Sequence, residues 1–434
     1  MRLRSPYDRE ILRLAVPALG ALAAEPVYVL VDTAVVGHLG RPQLAALGVS
    51  AVVLTAVFSI FNFLQYGTTA QVGRASGAGQ EEAARRLGAQ ALWLCLAVGI
   101  ALSAGVVALA PRIVAVMGAD GEAAGHAVTY LRIVGLGLPW AFVALGAQGY
   151  LRGAADLRTP LLILIGGNAV NAVLNVTFVY GFGWGIAGSA AATLVGQTAM
   201  GLAFVGALVR HAGRDLRPRP ELMRRLVRVG RHIFVRTVAL MSAFTVAGAV
   251  VTRFGDASIA AHQVAFQLWI FLALVLDSLA IAGQVLVGRG LGAGDTERAY
   301  AASARMIWLA VYAGGLFAVA MVLLEPWVPR LFTSDPQVLE RAAAIWLLFA
   351  LMQPLNGAVF ALDGILIGAG DGPYLAWSMV VSFAVSASIA VAALLLDWGI
   401  VGVWAALVAL IVVRLVLMLR RFSGRRWLVA GWSG

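Results

Sequence analysis

The 434 residues contain no lysine and a single cysteine, Cys95. A Walker-type ATP site needs its lysine on the phosphates, so the chain is not its own P-loop motor. Energy for any pumping has to come from an ion gradient, a partner ATPase or downhill flow. One thiol excludes a disulfide framework and a thiolate metal site within one chain. Charge is also scarce, at 12% of residues against roughly a quarter in a soluble domain, which is too little to cover a soluble surface. No nucleophile triad and no zinc-binding helix motif is present. The chain is therefore read as a non-enzyme, with no catalytic residue, cofactor or metal ligand assigned. The basic N-terminus is not followed by a small-residue cleavage site, so the first apolar segment reads as a retained helix rather than a signal peptide.

What is abundant is apolar surface: 61% of residues are hydrophobic and the mean hydropathy is +0.89. Stretches long enough to cross about 30 Å of hydrocarbon recur throughout. The expected spans are 11–37, 44–72, 88–111, 126–150, 159–182 and 186–209, then 230–253, 259–287, 301–325, 341–367, 373–396 and 400–420. The fold class is thus an all-α membrane protein of twelve transmembrane helices. Its expected organisation is an N-terminal six-helix lobe at 1–209, a cytoplasmic linker at 210–229 and a C-terminal six-helix lobe at 230–434.

The net charge of +11 suggests nucleic acid until the charges are located. All 32 basic residues are Arg, and most fall in alternate loops. One set runs from Arg2, Arg4, Arg9 and Arg13 through Arg74, Arg85, Arg86, Arg152, Arg158 and the segment Arg210 to Arg231, to Arg289, Arg298, Arg305, Arg420, Arg421, Arg425 and Arg426. The opposite set holds Arg41, Arg112, Arg253, Arg330 and Arg341. This is the positive-inside asymmetry. It places both termini in the cytoplasm, with contact to anionic lipid and none to nucleic acid.

The two halves repeat at an offset of 215 residues. Leu39-Gly40 to Ala45-Ala46 matches Phe254-Gly255 to Ala260-Ala261, and Val72-Gly73-Arg74 matches Val287-Gly288-Arg289. Gly77-Ala78-Gly79 matches Gly292-Ala293-Gly294, Pro139 matches Pro354, and Gly153-Ala154-Ala155-Asp156 matches Gly368-Ala369-Gly370-Asp371. Six spans per half is an even number, so the halves share one orientation and are expected to be related by a pseudo-two-fold axis along the membrane normal, as in rocking transporters. The Gly-rich turns 73–79 and 288–294 are read as tight cytoplasmic turns, not phosphate loops, since neither follows a strand.

Ionisable groups at membrane depth are costly, and each is a functional candidate. Glu25 and Asp32 lie seven residues apart on one face of the first span, with Tyr28 between them and Pro26 as a hinge that removes a backbone donor. A low dielectric disfavours the charged carboxylate, so such an acid can hold a proton or, ionised, bind a cation. Asn168, Asn171 and Asn175 stripe the fifth span, Ser189, Thr193 and Gln197 the sixth, and Asn62, Gln65 and Thr69 the second. Stripes of this kind serve as helix–helix glue or as the wall of a polar cavity. The second half carries Asp277 and Gln284 in its second span and Gln353, Asn356 and Asp363 on one face of its fourth. By the repeat, Asp277 corresponds to Asn62 and Asp363 to Gln148, while Glu25 and Asp32 correspond to Leu240 and Ala247. Each half has its own acidic site and lacks the other's. Whether Asp277 and Asp363 line a path or form a buried network stays open. His38 and His262 are read as wet residues near helix ends. The in-span arginines Arg132, Arg236 and Arg414 show no clustering.

Val31-Asp32-Thr33-Ala34-Val35-Val36-Gly37-His38-Leu39-Gly40 resembles the first-helix signature of the multidrug and toxic compound extrusion (MATE) family, in its DNA-damage-inducible protein F branch. Ala261-His262-Gln263, Leu276-Asp277, Leu362-Asp363-Gly364 and Asn171-Ala172-Val173-Leu174-Asn175, followed by Gly185-Ile186-Ala187-Gly188, look like the same branch. The resemblance covers nearly the whole chain. It implies a two-lobed twelve-helix exporter that exchanges cationic or amphipathic compounds for protons or sodium, with Asp32 as coupling carboxylate and Asn171, Asn175 and Thr193 lining its cavity. Two departures favour protons. Position 175, often Asp in the family, is Asn175 here, and the seventh span lacks the acidic residue of the family's second-lobe sodium site.

The expectation is therefore a proton-coupled drug or toxin antiporter, acting as a monomer in the bacterial inner membrane on an organic cation or amphipath. Asp32 and Glu25 are its proton-coupling residues, and Tyr28, Asn62, Gln65, Asn168, Asn171, Asn175, Ser189, Thr193 and Gln197 line its N-lobe cavity. A sodium-coupled exporter and a lipid-linked-oligosaccharide flippase are the alternatives, with a channel or scaffold as a different class. A flippase wants clustered cations for a diphosphate.

Overall fold

The structure, a computed structural model, describes residues 5–212 and 216–432. Arg2, Arg4 and linker residues 213–215 lie outside the described residues. A chain in hydrocarbon has to satisfy its backbone hydrogen bonds internally, and the apolar stretches do so as helices. They are α1 (Pro6–Gly37), α2 (Arg41–Phe61), α3 (Phe63–Gly77), α4 (Glu81–Val116), α5 (Gly121–Gly135), α6 (Leu138–Gly153), α7 (Arg158–Val176) and α8 (Gly185–Ala212). There follow α9 (Pro220–Val251), α10 (Asp256–Gly292), α11 (Thr296–Leu324), the short α12 (Val328–Phe332), α13 (Pro336–Gly368), α14 (Gly372–Leu395) and α15 (Gly399–Ser423). Among the described residues, eleven spans are long and apolar enough to cross a membrane, and α5 with α6 makes a twelfth, bent by 51°.

That bend replaces the straight span expected over 126–150. Pro139 has a counterpart in Pro354, yet α13 runs unbroken through Pro354. The difference lies just ahead of the proline. Gly135 and Gly137 occupy the first-half positions and Ala350 and Met352 the second, and glycine holds a helix less well than either. Gly137 also lies against α8, where a Cβ would meet Gln197 Oε1, the end of a flexible side chain. The second expected span is likewise interrupted, at Asn62 between α2 and α3.

By contact the chain forms two compact units. One is Gly20–Gly230; the other is Arg231–Ser433 together with the opening residues through Leu19. The sequence had assigned all of α1 to the first lobe. Its first turns belong elsewhere because Asp8 and Glu10 pair with Arg305 (2.7 Å) and Arg298 (3.1 Å) of α11.

In the unit built on Arg231–Ser433, α13 is the central helix and packs on α10 and α11. Small residues permit the approach: a Cβ on Gly364 would overlap the carbonyl of Ala280, and one on Gly357 that of Ala310. An aromatic core of Trp269, Trp346, Phe349 and Trp404 fills one end. His262, expected at a wet boundary, is buried there. It stacks on Phe266 and meets Trp404 edge-on, because its face of α10, nearly two turns from the start at Asp256, is turned toward the core. His38 is exposed, its ring bonded to the Ala34 carbonyl. The other unit has its core around Val106, Tyr130, Leu138 and Phe142, with Cys95 buried in it.

The repeat is visible in the turns. Ala78 N–H bonds the Arg74 carbonyl and Gln80 N–H that of Ala75; Ala293 and Asp295 repeat the pattern onto Arg289 and Gly290. After α6 and α13 the chain makes the same left-handed turn, with Gly370 at φ 74° but Ala155 at φ 64°. A side chain in that region costs roughly 1–2 kcal/mol. Gly370→Ala is expected to lower stability by about 1 kcal/mol, while Ala155→Gly raises it by up to about 1 kcal/mol. Thermal unfolding in detergent checks both, and shifts of the same sign would contradict the turn geometry.

Candidate functional site

Asp32, on α1, is 4% exposed. Three side chains from three other helices donate to it. Asn175 Nδ2 of α7 and Ser189 Oγ of α8 reach Oδ1 at 2.5 and 2.6 Å, and Tyr130 OH of α5 reaches Oδ2 at 3.3 Å. All three are uncharged. A turn earlier on α1, Tyr28 OH meets Thr193 Oγ1 at 2.9 Å, and Tyr130 interacts with both hydroxyls. Helical spacing makes this possible, since Ser189, Thr193 and Gln197 fall on one face of α8, and Tyr28 and Asp32 on one face of α1.

Beside this group lies a cavity of about 180 Å³. Glu25, Tyr28, Asp32, Tyr130, Thr193 and Gln197 form its polar side, and Leu44, Leu47, Leu54 and Phe58 of α2 its apolar side. The Gln197 Oε1 is buried and has no hydrogen-bond partner. An aromatic, half-polar enclosure with acids on one helix suits a ligand with a flat apolar body and a polar or cationic end.

Not every expected residue reaches this wall. Asn168 Nδ2 instead bonds the Ala24 carbonyl, tying α7 to α1. Asn171 packs against Gly196 where α7 meets α8. Gln65 Nε2 bonds Gln148 Oε1 at 3.3 Å, and Thr69 bonds the Gly149 carbonyl, so this stripe joins α3 to α6. Asn62 sits in the α2–α3 break, its carbonyl accepting from Gln65 and Tyr66. The side-chain bonds of Asn168, Gln65 and Thr69 therefore go to helix contacts, and neither Asn62 nor Asn171 lines the cavity. Two contributors were not expected. Tyr130 had a local signal, because a buried tyrosine hydroxyl in an apolar span needs a partner. The α2 wall had one too, as Leu44, Leu47, Leu54 and Phe58 recur at helical spacing.

The polar residues of the other unit fall into separate groups. Gln353 Nε2 caps the Phe349 carbonyl, and Asn356 Nδ2 bonds Gln353 Oε1 at 3.3 Å. Gln284 is buried where α10 passes Gly368, and Asp277 is half-buried on α10. Asp363 is held by Arg236 and, at 3.2 Å, by Arg414. This corrects the view that the in-span arginines do not cluster: two of them, 178 residues apart, converge on one carboxylate from α9 and α15. Removing one partner from a buried ionic group costs about 3–5 kcal/mol. Asp363→Asn is expected to destabilise the protein by that order, read as a drop in melting temperature of several degrees; an unchanged melt would contradict the pairing.

Comparison with known proteins agrees with this architecture. The MatE family model matches twice, over residues 17–177 and 233–393, once in each half. Protein DETOXIFICATION 44, chloroplastic, of Arabidopsis thaliana is 33% identical over 424 residues, covering 94% of this chain and 80% of the relative. DNA damage-inducible protein F of Escherichia coli (strain K12) is 28% identical over 449 residues, covering 100% and 95%. A crystal structure of MATE in the bent conformation has the same fold, with a TM-score of 0.89 at 23% identity and 97% of both chains covered.

Proposed function

The chain belongs to the MatE family, a family of membrane transporters, and from that premise we propose that it is a secondary active exporter exchanging protons for amphipathic or cationic organic compounds. The observation that carries this reading is Asp32: a carboxylate beside a cavity, bonded by three neutral donors. Neutral donors orient a carboxylate without neutralising it, so its charge is left to be answered by a proton or by a bound cation. Relatives named for multidrug resistance, such as the protein PmpM of Pseudomonas aeruginosa at 28% identity, support the substrate class.

The cycle follows from hydrogen-bond inventory. Ionised, Asp32 accepts from all three donors. Protonated, one oxygen becomes a donor itself, and one contact has to reverse or break. Ser189 and Tyr130 can each turn to accept; Tyr130, the most distant of the three donors at 3.3 Å, is the contact that breaks, and its loss loosens α1 from α5 around the cavity. Pro26 has no N–H, so the Leu22 carbonyl lacks its helical donor, as the Arg13 carbonyl does at Pro17, and α1 is weakened just before Tyr28. Bending there closes the cavity as the proton arrives, and the compound leaves. Moving one charge through the membrane potential is worth about 2.3 kcal/mol per 100 mV, enough for one proton to bias the cycle. With the basic loops inside, the proton enters from outside, in a bacterial inner membrane with both termini cytoplasmic.

Proton coupling is favoured over sodium because Asn175 supplies an amide where a second carboxylate would serve a metal cation. In the other unit, Asp363 is already matched by two guanidinium groups. The same pairing argues against a flippase, since the two arginines are not open to a diphosphate. Export from proteoliposomes under separately imposed gradients tests the reading. A proton gradient is expected to drive export and a sodium gradient alone not to. Asp32→Asn is expected to reduce proton-driven export at least about tenfold, the loss of roughly 1.4 kcal/mol of driving interaction. Wild-type rates in that variant, or sodium-driven export, would overturn it.

A further inference from the structure

Glu25 precedes Asp32 by seven residues on the same helix face, about 10 Å along the axis. Both line the cavity, but their surroundings differ. Asp32 is almost wholly enclosed and bonded three times. Glu25 is exposed, and among the described residues no hydrogen bond or ion pair reaches its carboxylate. The titratable groups that share the cavity with it are Asp32, Tyr28 and Tyr130; no Arg or His lines the wall. Opposite stand the apolar Leu44, Leu47 and Phe58 of α2. Among the described residues a carboxylate so placed has no protein counter-ion, and the aromatic side chains of Tyr28 and Phe58 line the same cavity, where a cation can meet aromatic rings.

We propose that Glu25 is the counter-ion for the positive centre of the transported compound and sets the charge preference of the cavity, while Asp32 alone carries the coupling proton. Resting on the export reading above, this takes Glu25 out of the proton-coupling pair in which the sequence reading places it with Asp32. An incoming cation meets the exposed acid first. Its apolar body then lies along α2, and its pairing with Glu25 leaves the three donors on Asp32 undisturbed. Protonation of Asp32 therefore acts on the helix contacts rather than by direct exchange with the cation.

The test uses the full chain in nanodiscs and proteoliposomes, with ethidium and its uncharged, dealkylated parent as probes. Glu25→Gln is expected to weaken ethidium binding about tenfold more than binding of the parent, and Glu25→Asp to recover most of that difference. The pH midpoint of parent export should follow wild type in Glu25→Gln and be lost in Asp32→Asn. An equal effect of Glu25→Gln on both probes overturns the assignment. So does a shifted pH midpoint in that variant, which would make Glu25 a second proton carrier. Export of neither probe by the wild type would instead overturn the export reading, and this inference with it.

Discussion

A carboxylate at membrane depth is stable only if something answers its charge. Around Asp32 the protein supplies orientation and no charge: an amide, a serine hydroxyl and a phenol. Much of the unit's architecture serves this arrangement. In it α1, α5, α7 and α8 converge, with α5 parted from α6 beside a glycine pair. The cavity is what remains beside that convergence, walled by α2.

The second buried acid is handled in the opposite manner. Asp363 is met internally by two guanidinium groups, those of Arg236 and Arg414. One acid therefore has its counter-charges within the protein, and the other has only neutral donors. The duplicated halves have therefore kept the cost of a buried carboxylate but met it by different means. A static solution suits a scaffold, and an unfinished one suits a step in a cycle.

Span number, the repeat and the first-half acid were legible because a polar group in an apolar helix marks itself, and because helical spacing says which groups share a face. Asp32, Asn175, Ser189, Thr193 and Tyr28, singled out this way, are joined by hydrogen bonds. Spacing does not say which neighbour a face meets. Asn62, Gln65, Asn168 and Asn171 show the same periodicity as the residues beside the cavity, yet none of them lines it. Tyr130 and the α2 face carried signals that the sequence reading did not take up, a phenol that needs a partner and an apolar stripe. The convergence of Arg236 and Arg414 on Asp363 joins three helices distant in sequence, and His262 was misjudged because proximity to a helix end does not reveal the side it faces. Likewise the bend between α5 and α6 depends on two glycines whose effect shows only by contrast with Ala350 and Met352.

The ion pairs of Asp8 and Glu10 carry a mechanical implication. They fasten the start of α1 to α11, while the same uninterrupted helix delivers Asp32 to the other unit. A continuous helix resists stretching and twisting far more than it resists flexing at a proline. Pro17 and Pro26 both lie between that anchored end and Asp32, and each removes a backbone donor from the helix. Flexing at either proline would take up strain that an unbroken helix would carry from one end to the other.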